Sequence, residues 1–163
     1  MSFHNLLSKK IVSGDDISRY VNARKLNGLR IVFTNGCFDI LHPGHVDYLS
    51  RARDMGDILI LGLNTDDSVK RQNKGPGRPI NNQESRAKVL AALGCVDAIV
   101  YFNEDTPYEL IKKVMPDFLV KGGDWPVDKI VGHDIVTKNG GQVLSIPFVE
   151  GFSTTSLINK LKA

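Results

Sequence analysis

The chain has 163 residues, with 21 Lys and Arg against 18 Asp and Glu and 42% hydrophobic residues, a composition typical of one globular domain. Its two cysteines, Cys37 and Cys95, form no C-x-x-C pair and no zinc-type Cys/His cluster, so we expect no disulfide scaffold or structural zinc. The net charge of +3 suits a small anionic ligand and gives little support for nucleic-acid binding. No signal peptide and no run of about 20 apolar residues occurs, so we expect a cytoplasmic protein without a membrane partner.

The first predicted element is an amphipathic helix near the N-terminus. Residues 13–16 offer capping side chains, and apolar residues follow Ile17 at helical spacing, so a helix is predicted from there to near Gly28. We therefore divide the chain into an N-terminal helical extension, residues 1–29, and a single domain, residues 30–163.

Short apolar runs alternate with amphipathic stretches over the rest of the chain. Strands are predicted at 30–34, 57–63, 97–102, 117–121 and 142–146. Helices are predicted at 43–55, 83–93, 107–115, 128–138 and from about Thr154. This order predicts an α/β fold with a doubly wound, Rossmann-like sheet of five parallel strands and helices on both faces. A ligand is expected beyond the carboxyl ends of the strands, where successive crossovers diverge.

The segment at residues 34–45, T-N-G-C-F-D-I-L-H-P-G-H, carries the most chemistry. A proline suits the first position of the helix that follows, where main-chain N–H groups and the helix dipole attract phosphate. Gly36 and Gly44 allow close approach of a ligand, and His42 and His45 can donate hydrogen bonds to phosphoryl oxygens as charge develops on them. An isolated H-x-x-H pair more often caps a helix or fills a core, but its place after a strand favours a phosphate site.

The run GCFDILHPGH resembles the signature of the nucleotidyltransferase superfamily with the H-x-G-H motif, which includes glycerol-phosphate and phosphocholine cytidylyltransferases. Together with NKGPGRPIN, VKGGDW and PFVEGFSTT, it resembles the heptose 1-phosphate adenylyltransferase family from Ile31 to Leu161. The resemblance implies transfer of AMP from ATP to D-glycero-D-manno-heptose 1-phosphate, with Mg²⁺, for lipopolysaccharide core or surface glycan precursors. It also implies a stand-alone transferase, without the sugar kinase domain of bifunctional relatives.

Individual roles follow from these motifs and from the resemblance. The expected catalytic residues are His42, His45 and, by resemblance, Lys74. The expected nucleotide-binding residues are Thr34, Asn35, Gly36, Phe38, Gly44, Arg78, Arg86, Gly122, Ser153, Thr154 and Thr155. The expected acceptor-binding residues are Asp39, Asn64, Asp66, Lys121, Asp124 and Trp125. We assign no protein ligand to the metal, because Mg²⁺ commonly binds phosphate oxygens and water, and the resemblance implies a homodimer or larger homo-oligomer.

Several alternatives stay open at this point. The basic loop at 70–78 also fits a solvated loop, and the hydroxyls at 153–156 also fit a helix cap. A cytidylyltransferase acting on glycerol 3-phosphate shares the same signature, although Phe148 stands where those enzymes have an arginine. A non-catalytic nucleotide-binding module is the alternative of another class, but such a module does not need both histidines.

Overall fold

A computed structural model describes residues 2–73, 75–149, 151, 152, 154 and 158. Over these residues the chain forms five strands: β1 (Ile31–Gly36), β2 (Ile58–Asn64), β3 (Ala98–Phe102), β4 (Phe118–Gly122) and β5 (Gln142–Ile146). The α-helices described are α1 (Phe3–Lys9), α2 (Ile17–Lys25), α3 (Pro43–Arg53), α4 (Asp66–Arg71), α5 (Gln83–Ala91), α6 (Tyr108–Val114) and α7 (His133–Lys138). A short 3-10 helix spans Val127–Lys129.

The strands form one parallel sheet in the order β3-β2-β1-β4-β5, which confirms the predicted doubly wound architecture. The chain builds outward from β1 to β3 and then returns to the other side of β1 with β4. The crossovers therefore diverge between β1 and β4, at the centre of the sheet, and a ligand cleft is expected at the carboxyl ends of these two strands.

Two apolar layers cover the sheet, one on each face. The first contains buried side chains of α2, α6 and α7, such as Val21, Ile111 and Val136. The second contains buried side chains of α3 and α5, such as Leu49 and Leu90. Because the sheet is covered on both faces, β2 is continuously apolar from Ile58 to Leu63, as predicted.

The N-terminal segment packs on the rest of the chain. The main-chain N–H of Val12 donates to the carbonyl oxygen of Ile99 at 2.9 Å, and the N–H of Ile99 donates to that of Lys10 at 2.7 Å, along the edge strand β3. Ile17 and Val21 lie in the core layer formed with α6. The segment predicted as an extension therefore shares its core with residues 30–163.

The predicted helix at 128–138 is wrong as one continuous element. The structure has the 3-10 helix, a break at Gly132 with φ of 90°, and then α7. A Cβ atom at this position would lie 2.7 Å from Cδ1 of Ile111, so glycine permits both the left-handed turn and the close packing on α6.

Two short helices, α1 and α4, were not predicted from the sequence. The predicted helix from Thr154 falls mostly on residues outside the described set. The longest described helix, α3, has 11 residues, and no helix in the described part of the chain is long and apolar enough to cross a membrane.

An aspartate directly precedes each of β2, β3 and β4. These aspartates bind free main-chain N–H groups at the amino-terminal edge of the sheet, which we call their edge-closing role. In each case one carboxylate oxygen accepts a hydrogen bond from a main-chain N–H at the start of a neighbouring strand. The pairs are Asp57 with Arg30 (2.8 Å), Asp97 with Leu59 (2.8 Å) and Asp117 with Ile31 (2.7 Å). The repeated aspartates thus satisfy donors that the parallel ladders leave unpaired.

Replacement of Asp117 by alanine should lower the free energy of unfolding by about 1 to 3 kcal/mol, because the N–H of Ile31 loses its charged acceptor. Urea denaturation measures this loss. Asp128→Ala is the matched control, since Asp128 is exposed and its ion pair among the described residues is with exposed Lys129 at 3.6 Å, so its effect should stay within about 0.5 kcal/mol. Equal losses in the two variants would contradict the edge-closing role.

Candidate active site

A cavity of about 600 Å³ opens at the carboxyl ends of β1 and β4, where the topology predicts a ligand. Its walls come from the β1–α3 loop, the first turn of α3, the loop before α5, the end of β4 and the segment after β5. The cavity brings together the predicted site residues Asn35, Gly36, Phe38, Asp39, His42, Gly44, His45, Arg78, Lys121, Gly122 and Thr154.

His42 and His45 form a stacked pair at the start of α3. His42 is the N-cap residue in an extended conformation, Pro43 takes the first helical position, and His45 lies in the first turn. The two ring centroids are 3.8 Å apart with an angle of 21° between the planes. Among the described residues neither Nδ1 atom has a hydrogen-bond partner, although both are buried. Buried polar atoms normally have a hydrogen-bond partner, so these two nitrogens are candidates to bind a ligand in the cavity.

Two phenylalanines flank the histidine pair, with Phe38 tilted against His45 and Phe152 stacked on His42. The ring centroid of Phe38 lies 5.3 Å from that of His45, and that of Phe152 lies 6.1 Å from that of His42. Phe38 has φ of 45°, which is unusual for a residue with a side chain and marks local backbone strain. Gly36 makes room for the Phe38 ring, since a Cβ there would lie 2.7 Å from it. The loop is therefore built to hold an aromatic wall against the histidines.

Both histidines are uncharged in the free protein at neutral pH. Burial lowers the pKa of His45 to about 4, and the neighbouring His42 adds to this effect. Burial also lowers the pKa of His42 below its ordinary value. A neutral imidazole has one N–H to donate and one nitrogen to accept, and an anion bound beside the ring raises its pKa. Such a pair can donate hydrogen bonds to an anion, and this interaction strengthens as negative charge builds up on the anion.

Asp39 anchors the loop that precedes α5. Its side chain is completely buried, and Oδ2 accepts hydrogen bonds from Nε of Arg78 at 2.5 Å and from the main-chain N–H of Ile80 at 2.9 Å. Oδ1 accepts from the N–H of Asn81 at 2.9 Å. Asp39 lines the cavity, but its oxygens already have protein donors. The ion pair with Asp39 holds Arg78, another lining residue, in place.

Arg86, predicted to contact nucleotide, lies beneath the site and joins two loops to the start of α4. Its guanidinium is fully buried and donates from Nη1 to the carbonyl oxygen of Cys37, from Nη2 to Asp66 and from Nε to the carbonyl oxygen of Asn81. These three distances are 2.7, 2.7 and 3.0 Å. The cavity wall contains neither Arg86 nor Asp66, which was predicted to bind the acceptor.

Other predicted residues lie away from the cavity wall or outside the described set. Thr34 is buried against the hydroxyl of Tyr48, and Nδ2 of Asn64 donates to Oγ of Ser68 at 2.9 Å. Asp124 and Trp125 follow β4 but do not line the cavity, and the Trp125 side chain is half exposed. Predicted residues outside the described set are Lys74, Ser153 and Thr155.

Sequence reasoning missed several lining residues, namely Cys37, Tyr48, Phe148, Val149 and Phe152. Most of them are apolar side chains with no reactive group, so a search for chemistry-bearing residues does not select them. One signal was available for Tyr48, which follows His45 by three residues and so shares its helix face. Phe148 packs over Gly122, where a Cβ would lie 2.6 Å from its ring.

The described residues do not fit a metal site built by protein side chains. No three of their His, Cys, Asp or Glu side chains converge on one point. Asp39 is the sole carboxylate among the described lining residues, and both of its oxygens accept hydrogen bonds within the protein. A metal ion that reaches this cavity would therefore take its oxygen ligands from a bound phosphate and from water.

The sequence profile of the family described as Cytidylyltransferase-like matches residues 33–160. The chain is similar to a bifunctional protein HldE of Nitrobacter winogradskyi, with 54% identity over 91% of this chain and 30% of that protein. It is also similar to the bifunctional protein HldE of Mesorhizobium japonicum, with 55% identity over 94% of this chain and 31% of that protein. The chain thus spans about 30% of the length of these relatives.

The chain also resembles solved structures in its fold. A lipopolysaccharide core biosynthesis protein from Thermoplasma volcanium superposes with a TM-score of 0.61 and 30% identity, over 75% of this chain and 98% of that one. A pantoate-beta-alanine ligase from Francisella tularensis superposes with a TM-score of 0.61 over 93% of this chain and 76% of that one. At 14% identity, the second similarity concerns the fold alone.

The free protein should lose stability as the pH falls from 6.5 towards about 4. In this window the unfolded chain binds a proton at His45 that the folded chain does not bind, so acid favours unfolding. Above pH 6.5 His45 is neutral in both states, and the free energy of unfolding is no longer reduced by its protonation. In His45→Gln this titration is removed, so its melting temperature should fall less steeply in acid. Calorimetry at a series of pH values tests this. Well above pH 6.5 the melting temperatures of the two proteins should change with pH in parallel. If they also change in parallel between pH 6.5 and about 4, the lowered pKa of His45 is contradicted.

Proposed function

The chain belongs to the cytidylyltransferase-like family, and we propose that it transfers AMP from ATP to D-glycero-D-manno-heptose 1-phosphate, giving ADP-heptose and pyrophosphate. The observation that carries the proposal is the stacked pair of histidines at the start of α3, inside a cavity between β1 and β4. The choice of acceptor is supported by the sequence resemblance and by the relatives named bifunctional protein HldE and lipopolysaccharide core biosynthesis protein.

The proposed reaction is an in-line displacement at the α-phosphorus. An oxygen of the sugar phosphate forms a bond to this phosphorus, and the bond to the oxygen that bridges to the β-phosphorus breaks. Its electron pair leaves with pyrophosphate. The acceptor phosphate is already an anion near neutral pH, so the reaction needs no general base, and positioning with charge stabilisation supplies the acceleration.

His42 and His45 would stabilise the transition state by donating hydrogen bonds to phosphoryl oxygens. The rings are partly desolvated and stacked, so they are oriented before substrate arrives, and their interaction strengthens as charge shifts to the α-phosphate and the leaving group. Gly44, buried in the first turn of α3, lets phosphate approach the N–H groups of the helix start. The accumulating charge raises the pKa of both imidazoles and so favours their protonated form.

The basic residues would neutralise the phosphates. Arg78 is held by Asp39 at the cavity wall, and the resemblance assigns Lys74 to the triphosphate. Arg86 would act as a positioning residue, because its buried guanidinium ties the signature loop, residues 37–42 between β1 and α3, to the loop that carries Arg78. The hydroxyls of residues 153–155 remain proposed nucleotide contacts, and Oγ1 of Thr154 lies 3.4 Å from the carbonyl oxygen of Ile40 in the signature loop.

A divalent cation, which we take to be Mg²⁺, would arrive on the triphosphate and offset part of its charge. Binding, orientation and charge stabilisation in the proposed reaction depend on the protein's own groups and on the substrates. We further propose that the enzyme is cytoplasmic, and that it acts as a homodimer or larger homo-oligomer, as the resemblance implies.

A grid of pyrophosphate-release assays tests the substrates. With Mg²⁺ present, ATP and CTP are each combined with D-glycero-D-manno-heptose 1-phosphate and with glycerol 3-phosphate. We expect release with ATP and the heptose phosphate alone. Release with CTP and glycerol phosphate would support the cytidylyltransferase alternative, and ATP binding without release in any combination would support a nucleotide-binding module.

His42→Ala and His45→Ala should each lower kcat by about 100-fold or more, with a much smaller change in the Kd for ATP, because their hydrogen bonds strengthen in the transition state. Steady-state kinetics and calorimetric titration with ATP separate the two effects. His133→Ala is the matched control, since His133 lies in α7 outside the cavity wall, and it should keep wild-type kcat. Near-normal kcat in both site variants would remove the histidines from the mechanism.

A further inference from the structure

The sheet opens between β1 and β4 at the edge that carries the cavity. The paired register of β1 with β4 ends at Phe33 and Leu119, whereas β1 stays paired with β2 as far as Gly36, and β4 stays paired with β5 as far as Gly122. Buried backbone groups that lose a ladder partner need another hydrogen bond. The side chain of Tyr48 provides one at this point.

Tyr48 joins the two diverging strands through a single hydroxyl. Its Oη lies 2.5 Å from Oγ1 of Thr34 in β1 and 3.3 Å from the carbonyl oxygen of Val120 in β4. A carbonyl oxygen only accepts hydrogen bonds, so the Tyr48 proton goes to Val120, and the Thr34 hydroxyl must donate to Tyr48. Burial raises the pKa of Tyr48 to about 12, which keeps this proton in place. The result is a directed chain of hydrogen bonds from Thr34 through Tyr48 to Val120.

The ring of Tyr48 fills the floor of the cavity. Tyr48 is 5% exposed, and a Cβ atom on Gly122 would lie 3.3 Å from its Cε2. Phe148 meets it edge-on, with ring centroids 6.5 Å apart. The single proton of the hydroxyl is donated to Val120, so Tyr48 cannot donate a hydrogen bond to a bound phosphate without losing that hydrogen bond.

Tyr48 also belongs to α3, the helix that presents the histidine pair. It follows His45 by three residues, so the two side chains lie on the same face about one turn apart. Leu49 and Ala52 press the same helix onto the sheet, and both are completely buried. Among these contacts, the Tyr48 hydroxyl supplies the directional one, because hydrogen bonds fix both distance and angle whereas apolar packing permits sliding.

We propose that Tyr48 is a positioning residue for nucleotidyl transfer, whose hydroxyl ties α3 to the open ends of β1 and β4 and thereby sets the place of the His45 imidazole. The inference rests on the proposed function, since it assigns Tyr48 to the reaction that His45 assists. Tyr48 acts through the helix, because its hydroxyl proton is bound to Val120 and makes no hydrogen bond to substrate. A displacement of catalytic donors by a fraction of an ångström affects the transition state more than substrate binding.

Tyr48→Phe tests the proposal, because it removes the hydroxyl and keeps the ring. We expect kcat to fall about tenfold with less than about a twofold change in the KM for ATP. In a His45→Ala background the same substitution should change kcat by less than about twofold, because the group it positions is gone. Tyr101→Phe is the matched control; it removes a hydroxyl that donates to the carbonyl oxygen of Gln83 at 3.4 Å, away from the cavity wall, and should keep wild-type kcat.

A second variant covers the case in which Tyr48→Phe does not fold. Thr34→Val removes the hydrogen bond to Tyr48 from the other side, and it should lower kcat in the same way. Wild-type kcat in a folded Tyr48→Phe protein, or an undiminished effect of this substitution in the His45→Ala background, would overturn the proposal.

A measurement on the free protein separates this inference from the proposed function. If the wild type releases no pyrophosphate in the assay grid, the proposed function fails, and the titration of the His45 imidazole followed by NMR then decides the role of Tyr48. The midpoint of the His45 titration should rise from about 4 towards 6.5 in Tyr48→Phe, because a loosened α3 exposes the imidazole to water. It should stay unchanged in Tyr101→Phe. Superimposable titration curves for the wild type and Tyr48→Phe would overturn the positioning role.

Discussion

The separation of β1 from β4 beyond Phe33 is the constraint on which the site depends. Parallel strands that stay paired leave no space between them, so a ligand enters only where the ladder ends. Here the ladder ends at the centre of the sheet, and the start of α3 sits over the gap. The helix thus presents its N–H groups and two histidines at the place where both strands turn their carboxyl ends to the cavity.

Two buried charged side chains hold the loops around this gap. Asp39 fixes the loop of residues 78–81 by accepting three main-chain or side-chain donors, and Arg86 fixes the signature loop by donating to carbonyl oxygens. A buried charge is costly unless it is fully paired, so each of these groups strongly favours one arrangement of its loop. The same pairing explains why neither group is free to serve as a metal ligand or as a mobile phosphate contact.

The sequence predicted the fold class well, and it identified the family. The five strands, their parallel arrangement and the cytidylyltransferase-like family are confirmed. Apolar periodicity and capping residues are local signals, so they locate strands and helices within a few residues. The break at Gly132 escaped prediction because it depends on packing against Ile111, which lies on another helix.

The sequence by itself identified the candidate groups for phosphate chemistry, since the histidines, glycines and proline of residues 34–45 are neighbours in sequence. Tertiary structure decided which side chains face the cavity and which lie beneath it. Arg86 is 49 residues from Cys37, whose carbonyl oxygen it binds, and Tyr48 is 72 residues from Val120. Local patterns carry no information on such contacts, because they arise only when the sheet brings distant loops to one edge.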